Sequence, residues 1–315
     1  MPYRVRNWSD YNAGLKQRGS LTLWLSKDAL EQWVISTATG GRGACQLYSD
    51  TAIATVATLK SVFHLAGRQA QGFVESVFHL MNIPLPVPDH STVSHRLAAL
   101  SVSIPVQPQS RARHVVVDSV GVKVYGEGEW KARQHGVGKR RTWRKLHLGV
   151  DETTGEIMVA EVTTNDFHDS EILPSLLEGI AGEIAQVSGD GAYDTFACHE
   201  AIAQRGAAAT IPPRHDARPT QPGVPNPNHP RDQILRRIEQ VGRADWKQES
   251  GYHRRSLAET TMFRLKVTFR GRVRSRSFDN QAVELFLQCA ALNPMIQVAK
   301  PDRYPVGHCR IKYES

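Results

Sequence analysis

The sequence predicts an α/β protein, a mixed sheet flanked by helices and preceded by a small all-α, helix-turn-helix-like region. Three observations carry that expectation. Between residues 49 and 100 apolar positions recur at helical spacing behind capping residues. From residue 114 valine-rich runs with strand character take over, and beyond residue 169 helical and strand-like segments alternate. At 315 residues the chain has length for a large unit and a smaller one. The expected division is a helical DNA-binding region at 1–105, an α/β catalytic domain at 106–300, and a tail at 301–315.

Each element follows from its own residues. "SDTAIATVATLKSVFHLAG" opens on a Ser-Asp cap, "QAQGFVESVFHLMN" continues, and "IPLPVPDHSTVSHRLAAL" gives a turn and a short third helix. That third helix would offer Ser91, Thr92, Ser94, His95 and Arg96 to a DNA groove, with Ser94 and His95 as base-reading candidates. A plain three-helix cap would give the same pattern. "SVSIPVQPQSRAR" reads as a linker. "HVVVD" and "VGVKVYG", then "RKLHLGVD" and "EIMVAEV" around the turn "ETTG", suggest an antiparallel meander of about three strands. "DSEILPSLLEGI" is a helix capped at Asp169 or Ser170, "IAQVSGDGAYD" a buried strand ending in a glycine-rich turn, "TFACHEAIAQRG" a helix with a glycine stop, and "AAATIP" a short strand. Residues 212–230 hold seven prolines and form a crossing without an element. Three helical stretches, "RDQILRRIEQV", "GYHRRSLAETTMFRLK" and "NQAVELFLQCAALN", complete the chain. Three strands, helix, strand, helix, strand, crossing, helix is the element order of a ribonuclease-H-like fold.

In such a sheet the ends of neighbouring strands adjoin, so distant carboxylates can converge. Asp118 closes the first valine run, Asp190 ends the strand after the first helix, and Glu259 sits on the helix after the last strand. Three carboxylates within about 5 Å repel by roughly 3 kcal/mol per pair at an effective dielectric of about 20. Hard divalent cations, Mg²⁺ or Mn²⁺, relieve that repulsion and suit in-line transfer at a phosphodiester. Asp118 is expected to bridge two ions while Asp190 and Glu259 hold one each. At about 100° per residue Tyr252, Arg255, Glu259 and Lys266 share a narrow helical stripe; a solvated helix with spaced ion pairs would look alike.

The charge distribution narrows the partner. The chain carries 39 Lys and Arg against 31 Asp and Glu, a net charge of +8. Seven of those cations fall between Lys131 and Lys145, Arg140 and Arg141 among them, and eight between Arg254 and Arg276 with Glu259 the only acid. Nucleic acid is the expected partner. Four cysteines lie far apart without zinc-ligand spacing, and "GEGEW" lacks the Lys-Ser/Thr of a phosphate loop, so neither zinc nor a nucleotide cofactor is expected. No signal core or membrane-length apolar run appears, and a cytoplasmic location is expected. Among rival groups, Asp194 reads as the start of the next helix, Asp151 as a turn residue, and His135, His147 and His168 as structural or phosphate-facing.

Residues 252–266 fit Y-x2-R-x3-E-x6-K without a gap, and "VVVDSVGVKVYG", "VSGDGAYDT" and "YNAGLKQRGSLTLWLS" precede it in order. This set resembles the DDE transposases of bacterial insertion sequences, the IS-four and IS-five groups, over about residues 11–297. The resemblance implies that Asp118, Asp190 and Glu259 are catalytic metal ligands and that Tyr252, Arg255 and Lys266 contact phosphates and DNA ends. It further implies Mg²⁺ or Mn²⁺, binding to terminal inverted repeats, cleavage and strand transfer to double-stranded target DNA, and a homodimer on DNA. The crossing is too short for the β-rich insertion of some relatives, so Trp130, Trp143 and Trp246 receive no base-flipping role. A nuclease of the same fold without strand transfer, and a catalytically silent DNA-binding regulator, remain open alternatives.

Overall fold

Consecutive valines, as at 115–117, make a strand whose two faces are both apolar, and such a strand belongs in the middle of a sheet covered on both sides. The computed structural model, which describes residues 3–35, 46–124, 143–218 and 229–305, puts it there. The chain begins with β1 (Tyr3–Val5), α1 (Trp8–Gln17), α2 (Leu21–Trp24) and α3 (Lys27–Glu31). The three anticipated helices follow as α4 (Asp50–Val62), α5 (Gly67–Leu80) and α6 (His90–Leu97). Next come β2 (Arg113–Val124), β3 (Trp143–Asp151), β4 (Ile157–Thr163), α7 (Asp169–Glu178), β5 (Ile184–Ser188), α8 (Phe196–Gln204) and β6 (Ala208–Thr210). The last stretch holds α9 (Pro230–Val241), α10 (Arg243–Glu249), α11 (Ser256–Phe269), β7 (Arg272–Val273), α12 (Phe278–Val298) and β8 (Arg303–Pro305).

The main sheet runs β4-β3-β2-β5-β6, with β7 added beside β2. β2, β3 and β4 form the antiparallel meander, while β5 and β6 join in parallel. This mixed sheet with helices on both faces is ribonuclease-H-like. The two valine runs are one strand that passes straight through Asp118 and Ser119. Its alternation sorts the core. Val115 and Val117 pack with Leu173, Leu176 and Ile202 beneath α7 and α8, whereas Val116, Val120 and Val122 pack with Ala258, Leu265 and Leu292 beneath α11 and α12.

α12 is buried nearly all round because it has partners on two sides. One side lies on the sheet; the other meets Ile53, Val56 and Leu59 of α4 and Leu97 of α6 in the same apolar cluster. Asn293 fixes its height. Its side chain accepts from Ile157 N at 2.8 Å and donates to Ile157 O and Pro105 O, each at 2.8 Å, so a wholly buried amide pairs the backbone at the start of the edge strand β4.

Other features depart from the expected elements. β1 pairs antiparallel with β8, Tyr3 opposite Pro305 and Val5 opposite Arg303; segments of three residues carry no readable periodicity. α7 begins at Asp169 itself, with His168 at the cap position, so the Asp169 carboxylate does not cap the helix. It meets Lys145 Nζ at 2.8 Å instead and lies 3.6 Å from His147 Nδ1. α8 starts at Phe196 behind a Thr195 cap, two residues beyond Asp194. Of the proline-rich crossing, residues 219–228 fall outside the described residues, as do 125–142 with Trp130, His135, Arg140 and Arg141.

Two measurements check this packing. Replacing Asn293 with leucine leaves three backbone groups without partners and is expected to cost about 2–4 kcal/mol, read as a lower urea midpoint. His147 is 1% exposed, with Nε2 2.9 Å from Thr163 Oγ1. Burial above all, helped by Lys145 and opposed by Asp169, holds its pKa down to about 4. A histidine depressed in the folded state contributes stability that is complete above its unfolded value near 6.5 and is lost as pH falls towards 4. Melting temperatures should drop across that window in the wild type and drop less in His147→Leu.

Candidate active site

Parallel pairing of β2 with β5 sets the site. Val116 is opposite Ser188, so two residues further along each chain Asp118 and Asp190 come level and share a pleat parity. Asp118 has the parity of Val116 and Val120, whose side chains lie on the α11 face. β5 ends at Ser188, and the chain turns at Gly189, where a Cβ would sit 2.9 Å from Tyr193 Cδ2 and 3.1 Å from Val117 Cγ2. Any larger residue would push the Asp190 turn off the sheet. Asp190 Oδ1 accepts from Ala192 N at 2.9 Å, capping the short 3-10 turn Gly191–Tyr193. Asp118 Oδ1 accepts from Ser119 N at 2.8 Å.

Glu259 arrives from across the sheet. Gly251 takes a left-handed conformation, φ 69°, and releases the chain into a 3-10 turn at Tyr252–Arg255 before α11 begins at Ser256. The single helical stripe expected for Tyr252, Arg255, Glu259 and Lys266 is therefore corrected. The tighter 3-10 winding of Tyr252–Arg255 divides the stretch into two segments. Both are anchored to the β3–β4 hairpin: Arg254 Nε donates to the buried Glu152 Oε1 at 2.5 Å, and Thr261 Oγ1 to Gly155 O at 2.9 Å. Ala258, buried beside Glu259, seats the first turn of α11 in the core shared with the sheet.

One cation lies among the acids. Arg255 Nη2 contacts Glu259 Oε1 at 2.6 Å and Nη1 lies 3.7 Å from Asp118 Oδ2. Its guanidinium carbon is 5.9 Å from the centre of the Tyr252 ring, which Lys247 Nζ approaches to 5.1 Å. Burial pushes the Asp118 carboxyl up from its ordinary value; Asp190 and Glu259 push the same way, while Ser119 N–H and Arg255 oppose. The Tyr252 hydroxyl is likewise raised by burial, with Asp190, Glu259 and Asp118 adding and Arg255 opposing. Asp118, Asp190, Glu259, Tyr252 and Arg255 thus form one electrostatic neighbourhood.

The donor set is chemically suited to a hard divalent ion, being three carboxylates in a partly desolvated pocket. Among the described residues no three His, Cys, Asp or Glu side chains form a group able to hold an ion directly. Arg255, bridging two of the acids, fills the role of counter-charge.

The remaining candidates lie elsewhere. Lys266 is exposed two turns along α11 from Glu259. Ser94 and His95 are exposed on α6 and line a cavity of ≈ 480 Å³ with Lys60, Arg274 and Arg276. Arg96 turns inward to Asp50 and to the Tyr48 carbonyl, so it is not offered to a groove. Asp194 belongs to a buried clamp, with Arg231 Nε and Nη2 at 2.7 and 3.1 Å and Arg214 N at 2.9 Å. It ties the two sides of the proline-rich crossing to the Asp190 turn; burial raises its pKa, but the His199 ring 3.5 Å away and hydrogen bonds from Arg231 and Arg214 outweigh that and hold it low. Lys145, Asp169 and Arg214, none anticipated as site residues, line a second cavity of ≈ 350 Å³ beside Ala192. Lys145 stood out only as the end of a basic block and Asp169 only as a candidate helix cap; their meeting with Arg214 had no sequence signal.

Two family models described as "Transposase DDE domain" match residues 16–127 and 109–293. Solved structures with detectable likeness include a simian T-cell lymphotropic virus intasome (16% identity, 65% of this chain and 65% of that chain, TM-score 0.26). Another is a piggyBac transposase synaptic complex with hairpin DNA (10% identity, 96% and 85%, TM-score 0.28). The chain spans just under two thirds of the intasome chain it matches. The family match over residues 109–293 covers more than half of the chain and takes in Asp118, Asp190 and Glu259: the protein belongs to the DDE transposase family.

Proposed function

We propose that the protein is an insertion-sequence transposase that binds terminal inverted repeats, cuts DNA at them and joins the freed 3′-hydroxyls to target DNA. The observation that carries this reading is the pairing of Asp118 and Glu259 with one cationic side chain, Arg255, with Asp190 near enough to raise the Asp118 carboxyl. A protein that only bound DNA would have no use for acids gathered where phosphates must approach.

Asp118, Asp190 and Glu259 would hold Mg²⁺ or Mn²⁺. When bound, such ions supply activation of the attacking hydroxyl or water and stabilisation of the leaving oxygen. The protein's own groups do the rest. Arg255, a planar guanidinium, can trade its carboxylate partners for a phosphate that it grips with two parallel hydrogen bonds. Tyr252, with its hydroxyl kept protonated at neutral pH, can donate to a phosphate oxygen. Lys266, Arg140 and Arg141 add positive charge along the DNA, and Ser94 and His95 would meet base edges from α6. Two ends must be held for joining, which calls for a homodimer on double-stranded DNA. Among the described residues no helix is long and apolar enough to cross a membrane.

Asp118→Asn should lose end cleavage and joining by at least about a thousandfold while retaining DNA binding, measured on labelled end fragments with Mn²⁺. Unchanged cleavage would refute the assignment, and a wild type that cuts but never joins precut ends would make it a nuclease. Arg255→Ala, which frees the acids of a competing unit charge, should bind Mn²⁺ about tenfold more tightly in the absence of DNA, by calorimetry, while its cleavage rate falls.

A further inference from the structure

α11 has an outward face that its core role does not explain. Ala258, Met262, Leu265 and Phe269 are each at most 6% exposed against the sheet and α12, yet Phe263 is 67% and Val267 62% exposed. At 100° per residue Phe263 lies on the same face as Glu259, four residues before it, and Lys266, three residues after it. The ring stands about 6 Å along the helix axis from the acid and about 4.5 Å from the amine. A large aromatic left in water forgoes the free energy of its burial, and this one is placed between Glu259 and a phosphate-seeking cation.

Charge decides between two occupants. On this face Lys266 and Arg270 are exposed while Glu259 is already paired with Arg255, so laying it against a second copy would set like charges together. A polyanion is attracted. A paired duplex, however, presents sugars and phosphates along its outside, whereas a flat aromatic finds a matching surface only on a base that has left its stack.

We propose that Phe263 is a base-stacking platform that receives an unpaired nucleotide of the DNA strand passing between Glu259 and Lys266, with Val267 flanking the ring. This rests on the transposase reading for the direction of the strand, but not for its test. Specificity would come from the loss of pairing near the cut and not from base identity, because every base has a π-face.

The test compares wild type, Phe263→Ala and Phe263→Trp for binding a mixed-sequence 20-nucleotide single strand and the matching duplex by fluorescence anisotropy across a salt series. Phe263→Ala should weaken single-strand binding about five- to hundredfold, change duplex binding less than about twofold, and leave the salt slope intact since no phosphate contact is lost. Phe263→Trp should retain single-strand affinity. Equal loss on both forms, no loss on either, a changed salt slope, or no single-strand binding by the wild type would each overturn the proposal. A Phe263→Ala protein of halved mass by light scattering without DNA would do so too, by showing that another copy covers the ring. Failure of the transposase reading is separately visible, as a wild type that binds DNA but does not cut it with Mn²⁺.

Discussion

Like charge gathered in a partly desolvated place has to be compensated before a chain will fold around it, and everything at the head of this sheet follows from that requirement. Burial raises the Asp118 carboxyl and its two acidic neighbours raise it further. In the protein alone the compensation is Arg255, held between Asp118 and Glu259. A guanidinium is an apt placeholder because it neutralises charge without closing around it as an ion with fixed coordination does. It leaves the acids near one another, not locked.

The three acids are not held with equal firmness. Asp118 lies on the central strand, its side chain 20% exposed, and Asp190 caps a turn set by the same strand pairing. Glu259 is 55% exposed on the first turn of a helix entered through Gly251. Two fixed groups and one exposed one leave the spacing of the acids adjustable at Glu259. The anchoring of Arg254 to Glu152 and of Thr261 to Gly155 confines that adjustment to the side chain and the turn before it.

Much of this was legible in the sequence because it is written in local pattern. Valine alternation placed β2, the "ETTG" turn placed β3 and β4, and capping residues such as Ser49 placed the helices, with Ser49 Oγ accepting from Ala52 N. The level position of Asp118 and Asp190 was not legible, since it depends on a parallel register that no local spacing encodes. The break between the 3-10 turn and α11 escaped for a different reason: a fixed angle of about 100° per residue presumes α winding from Tyr252 onward and does not register a first turn wound more tightly. Asp194 read as the start of the next helix, because its partner Arg231 lies 37 residues away across the proline-rich crossing and leaves no local signal. Arg96 looked like a groove residue for want of any signal that Asp50 would draw it inward.

The position of α12 at the middle of the apolar cluster has a consequence for how the polypeptide matures. Val298 leaves the ribosome 236 residues after Val62, the end of α4. At about 5–20 residues per second, the first helices wait roughly 10–50 s with their inner face uncovered. Translation therefore completes the helical layer and the sheet layer together, and a product shortened ahead of α12 would leave the inner face of α4 uncovered and be cleared as unfolded chain.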